Sequence, residues 1–234
     1  MTLKDQSKGG KTPKDPGPGS ELSGMYHRRF GSDIEFRQRM YKVLCGEFFQ
    51  RYIPKDATVL DIAAGYCEFI NNIEAGQKIA LDLNPDIKKY AAADVKVLES
   101  RSTEMKGLAD ESVDAAFTSN FLEHLSRDDI TKTIRETRRV LKKGGRLLIL
   151  QPNIRFCHRD YWMFFDHVTP LDDRSLCEVL EVNGFEIVES RPRFLPYTTK
   201  GRLPKSIPLL RIYLRMPLAH RILGKQAFVY ARKK

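Results

Sequence analysis

No Asp or Glu occurs between Arg191 and Lys234, a stretch that holds twelve Lys or Arg. The net charge of +10 therefore hides a division. Residues 1–190 carry 28 basic against 30 acidic side chains, a net of −2. A chain that is basic only at one end is not basic all over. Either a local surface meets something anionic, or the charge keeps an apolar segment in solution. Long apolar runs are also lacking: none approaches the roughly 20 residues of a membrane-spanning helix. The opening MTLKDQSKGG has no apolar core of a secretory signal. Cysteines are few and scattered, at 45, 67, 157 and 177, which excludes a CxxC metal pair and a disulfide framework. These shortages point to a reducing, cytoplasmic setting.

What is present suits one α/β domain with additions, with 41% hydrophobic residues over 234 positions. Residues 1–20 are rich in Gly, Pro, Lys and Asp and read as a disordered tail. Residues 21–54 read as a helical lid. Ser32 with Glu35 forms a capping box, and Phe36, Met40, Leu44 and Phe48 recur at helical spacing. From residue 55 to the end, strands and helices alternate. ATVLDI (57–62), QKIALDL (77–83), VKVLE (95–99), VDAAFTS (113–119), RLLILQ (146–151), FEIVES (185–190) and QAFVYAR (226–232) read as strands. A helix capped at Ser126 places Ile130, Ile134 and Leu141 on one face and stops at Gly144-Gly145. Another spans about 172–182. The alternation implies a mostly parallel sheet with helices on both faces. Segment 192–224 interrupts it with a helical cap, one helix opened by Ser206 and Pro208 and one by Pro217.

In such sheets ligands bind beyond the carboxyl ends of the strands. The stretch VLDIAAGYCEFI (59–70) has the outline of a nucleotide-binding strand, turn and helix. Of three usual glycines only Gly65 remains; Ala63 and Cys67 stand at the other two positions. Three glycines serve a pyrophosphate that nearly touches the backbone, so their loss argues against NAD. After the second strand, Asp82 suits a bidentate grip on two ribose hydroxyls; its plainer role is to cap a helix at 85–91.

The order VLDIAAG, ALDLNPD, LADESVDAAFTSNFLEHL, RETRRVLKKGGRLLILQPN resembles class I S-adenosylmethionine (SAM)-dependent methyltransferases, from about Val59 to Arg191. The resemblance implies a Rossmann-like fold, a seven-stranded mostly parallel sheet with an antiparallel last strand. It also implies SAM as cofactor. Asp61, Ala63, Ala64 and Gly65 would line the methionine portion. Asp82 would hold the ribose, with Leu83 against the adenine. Ser102 and Thr103 would stand where the family often has an Asp-Ala pair for adenine. Asn120 and Phe121 would floor the pocket. Tyr26 or Arg29, on the lid, could meet the methionine carboxylate.

A hydroxyl acceptor needs a base. Asp166 and His167, in FFDHVTPL, put a carboxylate beside an imidazole on a pocket loop and rank first; His124 ranks second and His158 third. Glu123, Asp166 and the histidines could gather a divalent ion such as Mg²⁺, but scattered acids in two loops do not establish one, and no metal ligand is assigned. The Asn/Asp-Pro-Pro-Tyr/Phe run that marks methylation of base or glutamine nitrogens is absent, which argues against DNA. RNA is disfavoured because the basic tail lacks a stacking pattern. The tail from Arg193 resembles methyltransferases of bacterial surface-polysaccharide and glycolipid assembly. That resemblance implies O-methylation of a saccharide or related small-molecule or glycolipid hydroxyl, with Lys205, Arg211 and Arg215 meeting anionic groups. The apolar stretch 207–223 could also touch a membrane. RNA methylation and a non-catalytic SAM-fold scaffold are the rival readings.

Overall fold

The computed structural model describes residues 34–197 and 205–234. The expected tail, Tyr26, Arg29 and Ser32 lie outside the described residues. Helix α1 (Ile34–Glu47) continues into a 3-10 turn (Phe49–Tyr52). Strands β1 (Thr58–Ile62), β2 (Gln77–Asp82), β3 (Val95–Glu99) and β4 (Val113–Ser119) follow, then α2 (Arg127–Val140), β5 (Leu141–Pro152), α3 (Ile154–Tyr161), α4 (Asp173–Val182) and β6 (Phe185–Arg191). A helical hairpin, α5 (Ile207–Leu214) and α6 (Pro217–Leu223), leads into β7 (Gln226–Lys233).

The seven strands lie in the order β3-β2-β1-β4-β5-β7-β6. Strand β7 runs antiparallel to both neighbours, and the other pairings are parallel. The alternation implied the mostly parallel sheet, and the family resemblance its seven strands with an antiparallel last one. Strand order reverses at β1 and β4, so the loops after these strands open a crevice at their carboxyl ends.

Each face of the sheet carries its own core. On one, Phe69 stacks on Phe117 at 3.8 Å and Phe48 on Phe194 at 4.1 Å. These rings tie α1, the turn after β1 and the segment after β6 to the sheet. On the other, Ile130, Ile134, Leu176 and Leu180 bury the apolar stripes of α2 and α4. Each such side chain contributes about 1.5–3 kcal/mol by leaving water.

Three local expectations are corrected. The helix-like run after Gly65 is a chain of turns, because Cys67 adopts φ +57° and breaks the right-handed path. The helix expected at 85–91 is a 3-10 turn (Pro85–Lys89), and Asn84, not Asp82, caps it by accepting from the Asp86 N–H at 3.0 Å. Helix α2 ends at Val140, before the glycine pair. Leu141 is already extended and pairs with Val113, which buries its side chain against the sheet.

Candidate active site

Beyond the carboxyl ends of β1, β2 and β4 lies a cavity of about 1210 Å³. Its floor begins with the loop after β1. Ala63 (φ +57°), Gly65 (φ +53°) and Cys67 (φ +57°) all have left-handed backbone. These are the three positions a glycine loop would use, so the loop keeps its shape while two glycines have become Ala and Cys. A left-handed L-residue costs about 1–2 kcal/mol, partly offset by the ~0.5–1 kcal/mol that glycine loses in chain entropy. Ala63→Gly is therefore expected to raise thermal stability by roughly 1–3 °C, read by calorimetry. Cys67→Gly is not, because the Cys67 side chain is fully buried and its loss offsets the relief.

Asp82, at the end of β2, holds this loop. Its Oδ2 accepts the Gly65 N–H at 2.9 Å and its Oδ1 accepts the Asn84 N–H at 2.8 Å. Burial pushes its carboxyl above the usual range, and these N–H groups oppose that shift. Asp61, in β1, is more strained electrostatically. Burial raises its carboxyl well above the usual range, Glu68 adds repulsion, and the Ile70 N–H gives partial relief. Glu68 is itself held by Arg37 of α1 at 2.6 Å. A buried acid in this state fits a cationic partner such as the ammonium of a methionine moiety.

The wall opposite comes from α1. Phe36, Arg37, Met40 and Tyr41 line the cavity. The Gln38 amide donates to the Tyr66 carbonyl at 3.1 Å, and the Tyr41 hydroxyl meets Ser119 Oγ at 3.0 Å. These residues lie within the expected lid, 21–54, but its cofactor contacts were expected from Tyr26 or Arg29 and not from them. Their signal was present, since Phe36 and Met40 share one face of the expected helix. Leu83, Ser102, Thr103, Asn120 and Phe121 line the cavity, as do Asp61, Ala63, Ala64, Gly65 and Asp82. The Ser102 hydroxyl, however, meets Thr133 Oγ1 at 2.8 Å. It is engaged with α2, whereas no side-chain partner of Thr103 Oγ1 is seen among the described residues.

The remaining end of the cavity holds the titratable cluster. His124 Nδ1 lies 3.2 Å from Asp166 Oδ2 and 3.1 Å from the Asp166 carbonyl. The Asp166 carboxylate, expected beside His167, reaches His124. His167 is buried, with ring centroids of Tyr161 at 4.6 Å and His124 at 5.0 Å. His158 lies on the exposed side of α3 and does not line the cavity. Glu123 Oε2 accepts the Gln151 amide at 2.9 Å, and its Oε1 lies 3.9 Å from His124 Nε2. Burial raises the Glu123 carboxyl, and His124 opposes the shift. The Glu123 carbonyl accepts the N–H groups of Val168 and Thr169 at 2.8 and 3.1 Å, which pins the two loops together. Glu123, His124 and His167 present ligand atoms within 4.8 Å of one another. Two imidazoles and a carboxylate would suit a transition ion better than Mg²⁺.

Two polar atoms of cavity-lining residues, Tyr197 Oη and Gln226 Oε1, are buried with no hydrogen-bond partner among the described residues. Such atoms cost free energy unless a ligand or water meets them. Lys205 lines the cavity as expected, but Arg211 and Arg215 do not. Both reach back to Glu47, at 2.9 and 3.6 Å. They sit one helical turn apart, and that shared face looks toward the end of α1.

Comparison with known proteins places this geometry. The family described as "Methyltransferase domain" matches residues 60–149. A SAM-dependent methyltransferase from Archaeoglobus fulgidus superposes with a TM-score of 0.65 at 25% identity, covering 88% of this chain and 99% of that one. The 1,6-didemethyltoxoflavin-N1-methyltransferase of Burkholderia thailandensis, solved with its substrate and S-adenosylhomocysteine, superposes at 0.55 and 18% identity, over 92% and 86% of the two chains. A polyketide synthase-nonribosomal peptide synthetase of Aspergillus clavatus is 30% identical over 159 residues, 62% of this chain; the chain spans 4% of that relative's length. The acids ending β1 and β2, the left-handed loop and the cavity fit the cofactor of this fold. The chain has the class I SAM-dependent methyltransferase fold.

Proposed function

We propose that this protein methylates a hydroxyl group of a saccharide or a related small polyol, with His124 as the base. The observation that supports this most is the polar end of the cavity. There an imidazole backed by a carboxylate shares the walls with the unpartnered Tyr197 hydroxyl and Gln226 carbonyl. A polyol acceptor offers donors and acceptors to match these atoms, whereas an apolar acceptor would leave them unpaired.

When bound, S-adenosylmethionine supplies a methyl group already activated on a sulfonium. The chain has to bind it, orient the acceptor and take a proton. Asp61 balances the ammonium, Asp82 accepts the ribose hydroxyls, and Asn120 and Phe121 close the floor. Asp166 accepts the His124 Nδ1–H, which fixes the tautomer and leaves Nε2 to take the hydroxyl proton. His167 and Tyr161 hold this dyad by packing. His124 is the more accessible of the two imidazoles, its side chain being 28% exposed.

The test is methyl transfer from labelled S-adenosylmethionine to a panel of mono- and oligosaccharides, with RNA alongside. Transfer to a saccharide, unchanged by EDTA, is the expected result. Transfer to RNA alone rejects the acceptor class. Loss of transfer in EDTA, restored by a transition ion, rejects His124 as a free base and makes it a ligand.

Asp61 gives a separate expectation. Its carboxyl keeps a proton in the folded, ligand-free protein at pH values where the unfolded chain has lost it. Stability of the ligand-free protein therefore falls as pH rises from the ordinary value of 3.8 through the raised folded value. An ammonium beside Asp61 reverses the shift, so cofactor binding in that window releases a proton. Binding enthalpies measured in buffers of different ionisation heat should reveal it, and Asp61→Asn should abolish it. Equal enthalpies across buffers for the wild type would place the ammonium elsewhere.

A further inference from the structure

We infer that the hairpin α5–α6 and the loop 162–168 form a docking surface for a membrane rich in anionic lipid. Thirteen large apolar side chains are exposed among the described residues. Ten of them lie in these two segments: six between Leu209 and Leu223, and four between Trp162 and Val168. Both segments border the mouth of the same cavity, the loop through Phe165 and Val168 and the hairpin through Leu209 and Ile212. Phe165 is 98% exposed and Ile222 72%. A surface this apolar, gathered at one opening, marks contact with something other than water.

The hairpin is not loosely placed. Leu210, Tyr213 and Leu214 pack on the core, the Tyr213 hydroxyl donates to the Phe194 carbonyl, and Arg193 Nε donates to the Gly224 carbonyl at 2.8 Å. Among the described residues, its outer apolar side chains Leu218 and Ile222 are therefore held exposed. The hairpin also carries Arg221, exposed, and Arg215, exposed on the side toward α1, and the segment from Arg191 onward has no acidic residue. Glu47 offsets part of the charge of Arg211 and Arg215; no acid stands within the hairpin to offset Arg221.

Charge decides between occupants. A second copy seated on this face would bring two hairpins together that carry Arg211, Arg215 and Arg221 and no acid of their own, with only Glu47 and Asp166 nearby among the described residues to compensate. An anionic lipid surface supplies the missing negative charge and takes up the apolar side chains. Trp162 at the rim suits the headgroup level, where an indole keeps one edge wet. Docked this way, the cavity mouth faces the lipid, and an acceptor anchored there could enter without leaving the bilayer. That last step rests on the methyl-transfer reading; the docking itself does not.

The test uses the full chain and flotation with vesicles of phosphatidylcholine alone or mixed with phosphatidylglycerol. Binding to the mixed vesicles, weakened by salt and at least about tenfold weaker on neutral ones, is expected. Leu218→Asp with Ile222→Asp, two positions outside the cavity lining, should lower vesicle binding by about tenfold or more. Melting temperature and cofactor affinity should stay unchanged, which separates docking from folding and from the site. Failure of the wild type to bind anionic vesicles overturns the proposal. So does binding that the double variant leaves intact. A dimer in sedimentation that the same variant dissolves would assign the patch to a second copy instead. Vesicle binding in a protein that methylates nothing would leave the docking standing and reject the catalytic reading alone.

Discussion

Asp82→Ala is expected to weaken S-adenosylmethionine binding by about a hundredfold. Hydrogen bonds to a charged group contribute about 1.5–3 kcal/mol each, and a ribose diol offers two. Asp82 also has a structural share, because it accepts the Gly65 and Asn84 N–H groups. The variant leaves the loop after β1 without its anchor as well as the ribose without its acceptor. Asp82→Asn keeps one carbonyl oxygen and should fall between, at roughly tenfold. Calorimetric titration gives the affinities, and the melting temperature of the ligand-free variants separates the two contributions. A variant that binds as tightly as the wild type would remove Asp82 from the cofactor site.

His124→Ala should lower the rate of methyl transfer by about 10²–10⁴, the usual worth of a positioned base. Cofactor affinity should not change, because His124 stands at the acceptor end of the cavity. Asp166→Asn should cost less, since the amide can still meet the ring but no longer stabilises its cation. His167→Ala is the comparison. A loss as large there, with an unaltered fold, would return the base to His167, where the sequence pattern first put it. If both variants keep full rate, the acceptor is one that needs no base, such as an amine or thiolate.

The order of strands and the acids at their ends were legible because they rest on local patterns. Runs such as ATVLDI and ALDL announce buried parallel strands, and the acid at the end of each has nowhere to face but the crevice. What could not be read depends on distances between loops. Asp166 and His167 are neighbours in sequence, which made them look like a pair; nothing local says that the fold also brings Asp166 to His124 across 42 residues. Arg211 and Arg215 share a helical face as expected, but nothing local says that Glu47 lies opposite. The Ser102 hydroxyl was lost to Thr133 for the same reason. Ala63 and Cys67 tell the converse lesson. They look like damage to a glycine loop, and the backbone shows the loop conformation kept, at a cost borne by two residues.

The cap leaves the sheet at Arg191 on β6 and returns at Gln226 on β7, and these two strands are hydrogen-bonded neighbours, with Arg191 paired to Phe228. Its two roots are thus stapled side by side by the sheet. Loop-closure cost grows only with the logarithm of length, about 0.6 kcal/mol per doubling. Changes of length between the roots therefore cost little in chain entropy, so long as Phe194, Leu210 and Tyr213 keep their packing on the core. The cofactor half of the cavity lies on β1, β2 and β4, which no such change touches. On the proposed reading, a new acceptor could be acquired by exchanging one looped segment while the methyl-donor half of the cavity stays as it is.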